Sequence, residues 1–424
     1  METNTDKPFQ PKSWIGLWIK VFIPLNIFFR LLHVAFPNAD IPEGWPISEG
    51  RFSLPTGTGI LFALLAIGSY FVYRSKKGSL KTFGLLGVLA LAFFGLNLAH
   101  GVRSSMVAVN ASDSIETEYY QDAARYRSVG EVLRNYNRDQ TTLGMHSASH
   151  PPLPVAVSVA AKQLFGDQPE VIAIVLGTII FACYFLLLSE ASDSSRFLLS
   201  TWLALLTYSM FTFDGIIALI TLVIAKGLMD KRYWVLAFIP VGLMFNFGFI
   251  IPVLGLLTWQ AVARKNLLTA IIAAVWTAAF LILINFGTGY NFWEGFRTAS
   301  RIENADGFRL FVDPISFICT RLENVAEILW FGGPVGLWLV STIRHWPAEN
   351  RKLITIVFSI MMLAFLTGAY HTGETARACL FVIPIFSLAA LEWIKKLPEE
   401  NIRQAAQTQL GFAVLVGVLM NFFW

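Results

Sequence analysis

The chain alternates between long apolar runs and short polar or charged segments over its whole length. Each run holds about 15 to 22 residues, enough to cross a hydrocarbon core of about 30 Å as a helix with some tilt or local thinning. We therefore predict an all-α polytopic membrane protein, a single transmembrane domain over 1–424 with about thirteen spanning helices. The predicted spans are 14–35, 57–73, 82–100, 170–189, 198–211, 214–230, 234–247, 248–262, 266–286, 325–343, 353–370, 376–394 and 407–424.

Two long apolar regions are interrupted by short breaks, at 212–214 and at 246–248. Because each region is too long for one crossing, each break predicts two helices. The apolar stretch 153–165 is short and contains Lys162. It predicts a helix that lies on the membrane surface, or half within it, and does not cross.

The lysines orient the chain, because short cytoplasmic loops carry the excess of Lys and Arg. With the amino terminus in the cytoplasm, every lysine except Lys20 and Lys162 falls in a cytoplasmic segment. This orientation leaves two large extracytoplasmic loops, 101–169 and 287–324. Shorter outer segments are 36–56 and 370–375. We expect an integral multi-pass protein of the plasma (inner) membrane with its active site on the extracytoplasmic face.

Composition narrows the class further. The chain is 55% hydrophobic and 14% charged, whereas about a quarter of residues in a soluble protein are charged. The net charge of +4 is small and its cations are scattered, which excludes a nucleic-acid-binding face. The three cysteines form no disulfide framework. No phosphate loop or dinucleotide motif occurs, so the sequence does not support ATP chemistry. The apolar runs hold few charges beyond Lys20 and Arg30, which does not favour a transporter.

The two large outer loops contain arginines but almost no lysine. These arginines are Arg103, Arg125, Arg127, Arg134, Arg138, Arg297, Arg301, Arg309 and Arg321. Guanidinium groups bind phosphate or carboxylate through two parallel hydrogen bonds, so the pattern indicates anion binding. Pairing with neighbouring Asp and Glu is the alternative.

An acidic and aromatic run, 116–126, lies in the first large loop. Its carboxylates are Glu116, Glu118 and Asp122, and it also contains Tyr119, Tyr120 and Arg125. In a helix, Glu118, Asp122 and Arg125 share one face. The carboxylates could act as a general base or hold a cation, or the run could be a solvated surface helix with internal ion pairs.

Two histidines, His146 and His150, precede Pro151 and Pro152. The prolines end any helix at His150, so the spacing of the histidines does not suit a metal site, and substrate contact or a structural role is favoured. Three further outer residues are His371, Glu374 and Arg377, and Asp214 lies at the outer break between two spans. Each is a candidate for ligand contact, with helix capping or local pairing as the alternative.

These motifs together resemble the GT-C superfamily of glycosyltransferases. The Asp122-Ala-Ala-Arg125 stretch looks like the first-loop motif of the GPI mannosyltransferase branch, and His150-Pro-Pro-Leu153 is similar to a segment of the bacterial members. The aromatic segment that ends in Asp214 and the late Glu374-Thr-Ala-Arg377 with Pro384 are similar to two further family patterns. The spans at 57–73 and 82–100, ahead of the acidic loop, depart from the family.

The resemblance implies a GT-C-like helical bundle that acts as a hexosyltransferase. Its first-loop motif resembles that of mannosyltransferases. The donor would be a polyprenyl-phosphate sugar and the acceptor a lipid or glycan, with membrane lipids as further partners and no nucleic acid. Glu116, Glu118 or Asp122 would be the base of an inverting transfer. Donor or phosphate contacts would come from Arg125, His146, His150, Arg297, Arg301, Arg309, His371, Glu374 and Arg377.

Three points stay open. A divalent cation, Mg²⁺ or Mn²⁺, is compatible with the carboxylates but no ligand set is specified. A glycan polymerase or ligase that uses polyprenyl-diphosphate donors is an alternative enzyme. A lipid-linked-sugar flippase or transporter is the non-enzymatic alternative, and it requires a polar path across the membrane.

Overall fold

The computed structural model describes residues 9–37, 50–52, 117–169, 213–368 and 375–422, with isolated helical positions between 57 and 68 and between 171 and 198. These residues are almost entirely helical, as the apolar runs predict. The exception is one antiparallel pair of short strands, β1 (Gly50–Phe52) and β2 (Met420–Phe422). The all-α expectation is therefore confirmed for the described part of the chain, apart from this pair.

The α-helices are named here in chain order. They are α1 (Pro11–Ala35), α2 (Thr117–Asp122), α3 (Val129–Asp139), α4 (Met145–Ser149), α5 (Leu153–Phe165), α6 (Asp214–Met229), α7 (Ile239–Phe245), α8 (Ile250–Thr258), α9 (Leu267–Thr288), α10 (Phe292–Glu303), α11 (Arg309–Val312), α12 (Pro314–Ser341), α13 (Ala348–Leu366), α14 (Thr375–Ala378), α15 (Val382–Ile394) and α16 (Glu399–Leu419). Short 3₁₀ turns flank several of them, at Ala123–Arg125, Gln140–Thr142, Tyr233–Phe238, Phe247–Phe249 and Ile343–His345, and a π turn covers Trp259–Ala263.

Two of the described helices, α1 and α9, are long and apolar enough to cross a membrane. Only 11% of the apolar window of each is buried against the rest of the protein, which a core helix of a soluble protein would not show. Large side chains such as Leu31 and Phe286 are more than half exposed, so lipid is the environment that suits these surfaces. The predicted spans 57–73, 82–100, 170–189 and 198–211 lie largely or wholly outside the described residues.

The predicted break at 246–248 occurs where the sequence places it, whereas the helix predicted before the break at 212–214 lies outside the described residues. Helix α6 begins at Asp214, and α7 ends at Phe245 before a turn in which the Asn246 carboxamide oxygen accepts a hydrogen bond from Gly248 N at 2.6 Å. By contrast, α12 begins at Pro314, well before the predicted start at 325. The polar residues that suggested a loop there lie on a buried face of the helix.

Aromatic side chains pack the bundle together. Trp18 of α1 contacts Trp330 of α12 and Phe412 of α16, with ring centroids 5.8 and 5.0 Å apart. Where α12 meets α16, the helix is kinked at Gly333, whose φ of 65° is in the left-handed region, and Pro334 follows it. Glycine adopts this backbone without strain, so the kink depends on residue 333.

Replacing Gly333 by Ala is expected to lower the apparent melting temperature of the purified protein in detergent. An added Cβ would lie 2.6 Å from Phe412 Cδ1 and would also force a strained φ, which costs about 2–4 kcal/mol in total. Tryptophan fluorescence during heating measures the change. Gly411→Ala in α16 is the matched control, because a Cβ there meets open space. Equal melting temperatures for the two variants would contradict the kinked geometry.

Candidate functional site

The acidic and aromatic run of the first large loop folds inward. Tyr119, Tyr120, Asp122 and Tyr126 are all buried, over α2 and the turn that follows it. A hydroxyl–carboxylate hydrogen bond of 2.5 Å joins Tyr120 to Asp167. Because these side chains pack into the protein, the run is not the solvated surface helix that was the alternative.

Two carboxylates of this run converge on the start of α4. Glu118 Oε2 accepts a hydrogen bond from His146 N at 2.6 Å, and Asp122 Oδ2 accepts one from Gly144 N at 2.9 Å. The first amides of a helix have no partner within the helix and carry partial positive charge, so carboxylates stabilise this end. The acidic run is thereby fixed against the segment that contains His146 and His150, here called the histidine segment (146–150).

Asp122 and Arg125 hold the loop together. The Arg125 guanidinium lies 3.0 Å from Asp122 Oδ1 and donates to the carbonyl of Thr142 at 2.8 Å. Asp122 is buried, and each of its oxygens has a partner. These contacts give Asp122 and Arg125 a positioning role in joining 122–125 to 142–144.

Glu118 differs from Asp122 because only one of its oxygens is held. Oε1 has no hydrogen-bond partner among the residues that the structure describes. Burial raises the pKa of Glu118 above its ordinary value of 4.5, the hydrogen bond from His146 N opposes the shift, and the charge of Asp122 adds to it. A half-buried carboxylate with a raised pKa is a stronger base than a solvated one, which suits it to proton abstraction.

Replacing Gly144 by Ala tests the position of Glu118. The backbone at Gly144 (φ −55°, ψ 154°) accepts any residue, but an added Cβ would lie 2.7 Å from Glu118 Oε2 and 2.8 Å from its Cδ. We expect the carboxylate to be displaced and any activity that uses Glu118 as a base to fall about tenfold or more, since misplacement of a reacting group by about 1 Å can cost 10²-fold. Gly130→Ala, whose Cβ would meet nothing closer than 3.9 Å, should leave activity unchanged. Full activity in Gly144→Ala would contradict this packing.

The imidazoles of His146 and His150 pack against each other and against Tyr119, the residue after Glu118. Their rings are stacked with centroids 5.3 Å apart, and the Tyr119 ring stands edge-on to both. His150 Nδ1 is 2.9 Å from the carbonyl oxygen of His146. A carbonyl can only accept, so Nδ1 carries the proton, and in the neutral ring Nε2 holds the lone pair.

The histidine segment has a buried support. His150 ends α4 in an extended conformation before Pro151, as the prolines predict. The Tyr136 hydroxyl, fully buried, donates to Ser147 O at 2.5 Å, and the carbonyl of His150 lies 3.1 Å away. Tyr136 therefore supports the backbone that carries the two histidines. Local sequence patterns do not reveal this contact.

Asp214 starts α6 close to this cluster. Its neighbour Phe213 packs edge-on against Tyr119, with ring centroids 5.6 Å apart. The start of α6 is thus brought against the first large loop.

The second large loop docks on the first. Asn137 and Asn291 exchange two hydrogen bonds of 3.0 and 2.7 Å between side chain and backbone. The buried Gln140 amide donates to Ala148 O of α4 and to Gly295 O of α10. These contacts hold α10 against the back of the histidine segment.

Two arginines of the second loop, Arg297 and Arg301, make no ion pair with Glu118 or Asp122. On α10, Gly295 and Ala299 are buried, whereas Arg297 and Arg301 are exposed on another face. The Arg297 guanidinium lies over the ring of Trp293 at 5.4 Å. Arg309 opens α11, at the second loop.

Some predicted residues are outside the described part of the chain. Glu116, His371, Glu374 and the side chain of Arg377 fall there, although position 377 is on α14. Among the described residues, no three His, Cys, Asp or Glu side chains are grouped as a metal site would require. The described residues therefore provide no ligand set for the divalent cation, Mg²⁺ or Mn²⁺, that the carboxylates left possible.

A buried polar stripe on α12 escaped the sequence analysis. Its members, all at most 1% exposed, are Ser316, Thr320, Glu323, Asn324 and Glu327. Glu327 lies inside the predicted span 325–343, and the Asn324 carboxamide oxygen accepts a hydrogen bond from Thr375 Oγ1 at 2.6 Å. The spacing of three and four residues was a possible signal, because it places these side chains on one helix face.

The sequence matches no protein-family model, and neither a curated protein nor a solved structure matches the chain. The chemistry of the site therefore rests on the residues themselves.

Proposed function

We propose that the chain is a membrane glycosyltransferase of GT-C type that moves a sugar from a polyprenyl-phosphate donor to a lipid or glycan acceptor. The observation that carries the proposal is the environment of the Glu118 carboxylate. One oxygen of this carboxylate accepts a hydrogen bond from His146 N, and burial raises its pKa. The imidazole of the same His146 is stacked on that of His150. Such a carboxylate can accept a proton from a hydroxyl as that hydroxyl attacks a sugar.

The proposed step is a single displacement. Glu118 takes the proton from the acceptor hydroxyl, whose oxygen forms a bond to the anomeric carbon of the sugar. The bond from that carbon to the phosphate oxygen breaks, its electron pair leaves with polyprenyl phosphate, and the configuration inverts. His146 and His150 are positioned to contact the sugar, the phosphate or the acceptor.

Other residues complete the proposal. Arg377, with His371 and Glu374, remains the candidate for the leaving phosphate, since an arginine stabilises the charge that develops there. Asp122 and Arg125 support the loop instead of reacting. Arg297 and Arg301 are not assigned to this step, because they lie on a face of α10 other than the one that packs on α4.

The proposed topology has thirteen spans, a cytoplasmic amino terminus and an extracytoplasmic site. Contacts between distant segments support it, because they join segments that the lysine pattern assigns to one side. On the outer side, Asn137 meets Asn291 and β1 pairs with β2. On the inner side, Arg264 pairs with Glu349.

The activity should depend on pH through Glu118. Its pKa in the folded protein lies above 4.5, so the rate should rise with pH through that raised pKa as the base ionises. Between 4.5 and the raised value the folded protein binds more protons than the unfolded chain, so stability falls as pH rises through this window. Initial rates from acidic to neutral pH measure the first effect. A rate that is independent of pH in this range would contradict the role of Glu118.

The proposal is tested with the full chain in liposomes. A polyprenyl-monophosphate donor labelled in the sugar is supplied with lipid and glycan acceptors. We expect label in the acceptor and an equal amount of free polyprenyl phosphate. Release of polyprenyl diphosphate from the corresponding donor would indicate the polymerase or ligase alternative. A donor that remains intact with every acceptor would overturn both enzyme assignments.

The buried stripe on α12 favours a second candidate, a lipid-linked-sugar flippase. Glu323 and Glu327 are ionisable groups inside the bundle, and such groups commonly line the paths of polar substrates through membranes. Transfer of unchanged labelled donor between the leaflets of liposomes would support this function. Loss of this transfer in Glu327→Gln, with the protein still folded, would show that the transfer depends on the buried polar stripe.

A further inference from the structure

Helix α10 has two faces of different character. Its buried face, with Gly295 and Ala299, packs against the first large loop. Away from that face, Trp293 is 57% exposed and Phe296 is 40% exposed, and the arginines Arg297 and Arg301 are beside them. Large exposed aromatic rings next to cations are typical of helices that lie in a membrane interface.

The chain places α10 at the membrane surface. The exposed apolar helix α9 ends at Thr288, and α10 begins at Phe292 after a left-handed turn at Gly289. Four residue steps span at most about 14 Å, so the first turn of α10 lies near the end of the span. The Asn137–Asn291 hydrogen bonds fix the connection, and the helix is held at this depth.

The exposed side of α10 presents an ordered set of groups. The rings of Trp293 and Phe296 are stacked with centroids 5.6 Å apart, and the Arg297 guanidinium lies over Trp293. Arg301 is one turn further along the helix. Neither arginine has an ion pair with a residue that the structure describes. Their guanidinium groups therefore keep the donors that a phosphate requires.

Two more exposed apolar side chains follow in α11, the next helix along the chain. Phe311 is 83% exposed and Val312 is 56% exposed. In water these side chains would be an unfavourable apolar patch, whereas at a bilayer they can reach the boundary of the acyl chains.

We propose that α10 forms a docking surface for anionic phospholipid in the outer leaflet. Arg297 and Arg301 bind the headgroup phosphates, and Trp293 and Phe296 insert at the level where the acyl chains begin. This surface is separate from the Glu118 site, and the proposal does not depend on glycosyl transfer. Lipid bound to this surface would fix α10, the helix that supports the histidine segment.

Hydrogen–deuterium exchange of the full chain in nanodiscs tests the surface. One set of nanodiscs contains phosphatidylcholine alone, and the other contains equimolar phosphatidylglycerol and phosphatidylcholine. In the wild type, amides of 292–303 should exchange roughly tenfold more slowly with phosphatidylglycerol, because each interfacial arginine is attracted to an anionic surface. The difference should disappear in Arg297→Gln/Arg301→Gln.

The control removes the same charge from the first loop. Arg127→Gln/Arg134→Gln replaces two exposed arginines that make no ion pair with a described residue, and it should keep the slowing at 292–303. Amides of 129–139 report whether each variant is folded. An equal exchange rate in both lipids for the wild type would overturn the proposal. So would full slowing in Arg297→Gln/Arg301→Gln, or the same slowing by inorganic phosphate in phosphatidylcholine nanodiscs.

Discussion

Glu118→Gln is expected to reduce the rate of sugar transfer by roughly 10²–10⁴-fold, the usual contribution of a general base. The carboxamide oxygen can still accept the hydrogen bond from His146 N, which is 2.6 Å from the carboxylate in the wild type. The fold of the first large loop should therefore survive while proton abstraction is lost. Initial rates at saturating donor, with exchange protection of α4 as the measure of folding, test this expectation.

Asp122→Asn is the matched comparison for Glu118→Gln. It also converts a carboxylate of the same run to an amide, but Asp122 pairs with Arg125 and accepts a hydrogen bond from Gly144 N. Its main effect should be loss of protection around 142–146, with a fall in activity that follows the unfolding. Wild-type activity in Glu118→Gln would contradict the assignment of the base, whichever way Asp122→Asn behaves.

Tyr136→Ala is expected to destabilise the first large loop by about 3–5 kcal/mol, as truncation of a fully buried aromatic ring does. The ring packs edge-on against Tyr290, and its hydroxyl holds Ser147 O below the histidines. Limited proteolysis of the protein in lipid should show new cleavage between 140 and 151, and transfer activity should be lost.

Tyr136→Phe separates the ring from the hydroxyl. It keeps the packing and removes one hydrogen bond, so a cost of about 1 kcal/mol and partial activity are expected. Proteolysis of Tyr136→Ala at the wild-type rate would show that Tyr136 does not support the loop.

Local chemistry made part of this structure predictable. Proline at 151 and 152 ends a helix at His150, and the break at Asn246 separates two helices, as observed. The pairing of Asp122 with Arg125 follows from their spacing of three residues. Each of these features depends on neighbours in sequence, where backbone and side-chain preferences act directly.

Features that depend on distant contacts were not predictable in the same way. Glu118 accepts a hydrogen bond from a residue 28 positions away, and nothing in the acidic run specifies that partner. Arg125 was expected to bind an anion, but its guanidinium is occupied by Asp122 and Thr142. Composition separates charged from apolar segments, whereas only tertiary packing decides which charges stay available.

Glu327 illustrates the limit of reading spans from hydropathy. One carboxylate among apolar neighbours barely changes the average over a window, so the run 325–343 looks like an ordinary span. Burial of Glu327 together with Glu323 and Asn324 becomes visible only when α12 is seen as one helix with a polar face.

The central claim is that Glu118 performs sugar transfer on the extracytoplasmic face. Right-side-out and inside-out vesicles that contain the same protein are supplied with a labelled polyprenyl-phosphate sugar and a water-soluble acceptor that does not cross the bilayer. Transfer is expected only where the outer face is accessible, and none above background is expected with Glu118→Gln on either side. Transfer from the face that carries the amino terminus, or equal transfer by Glu118→Gln, would contradict this claim.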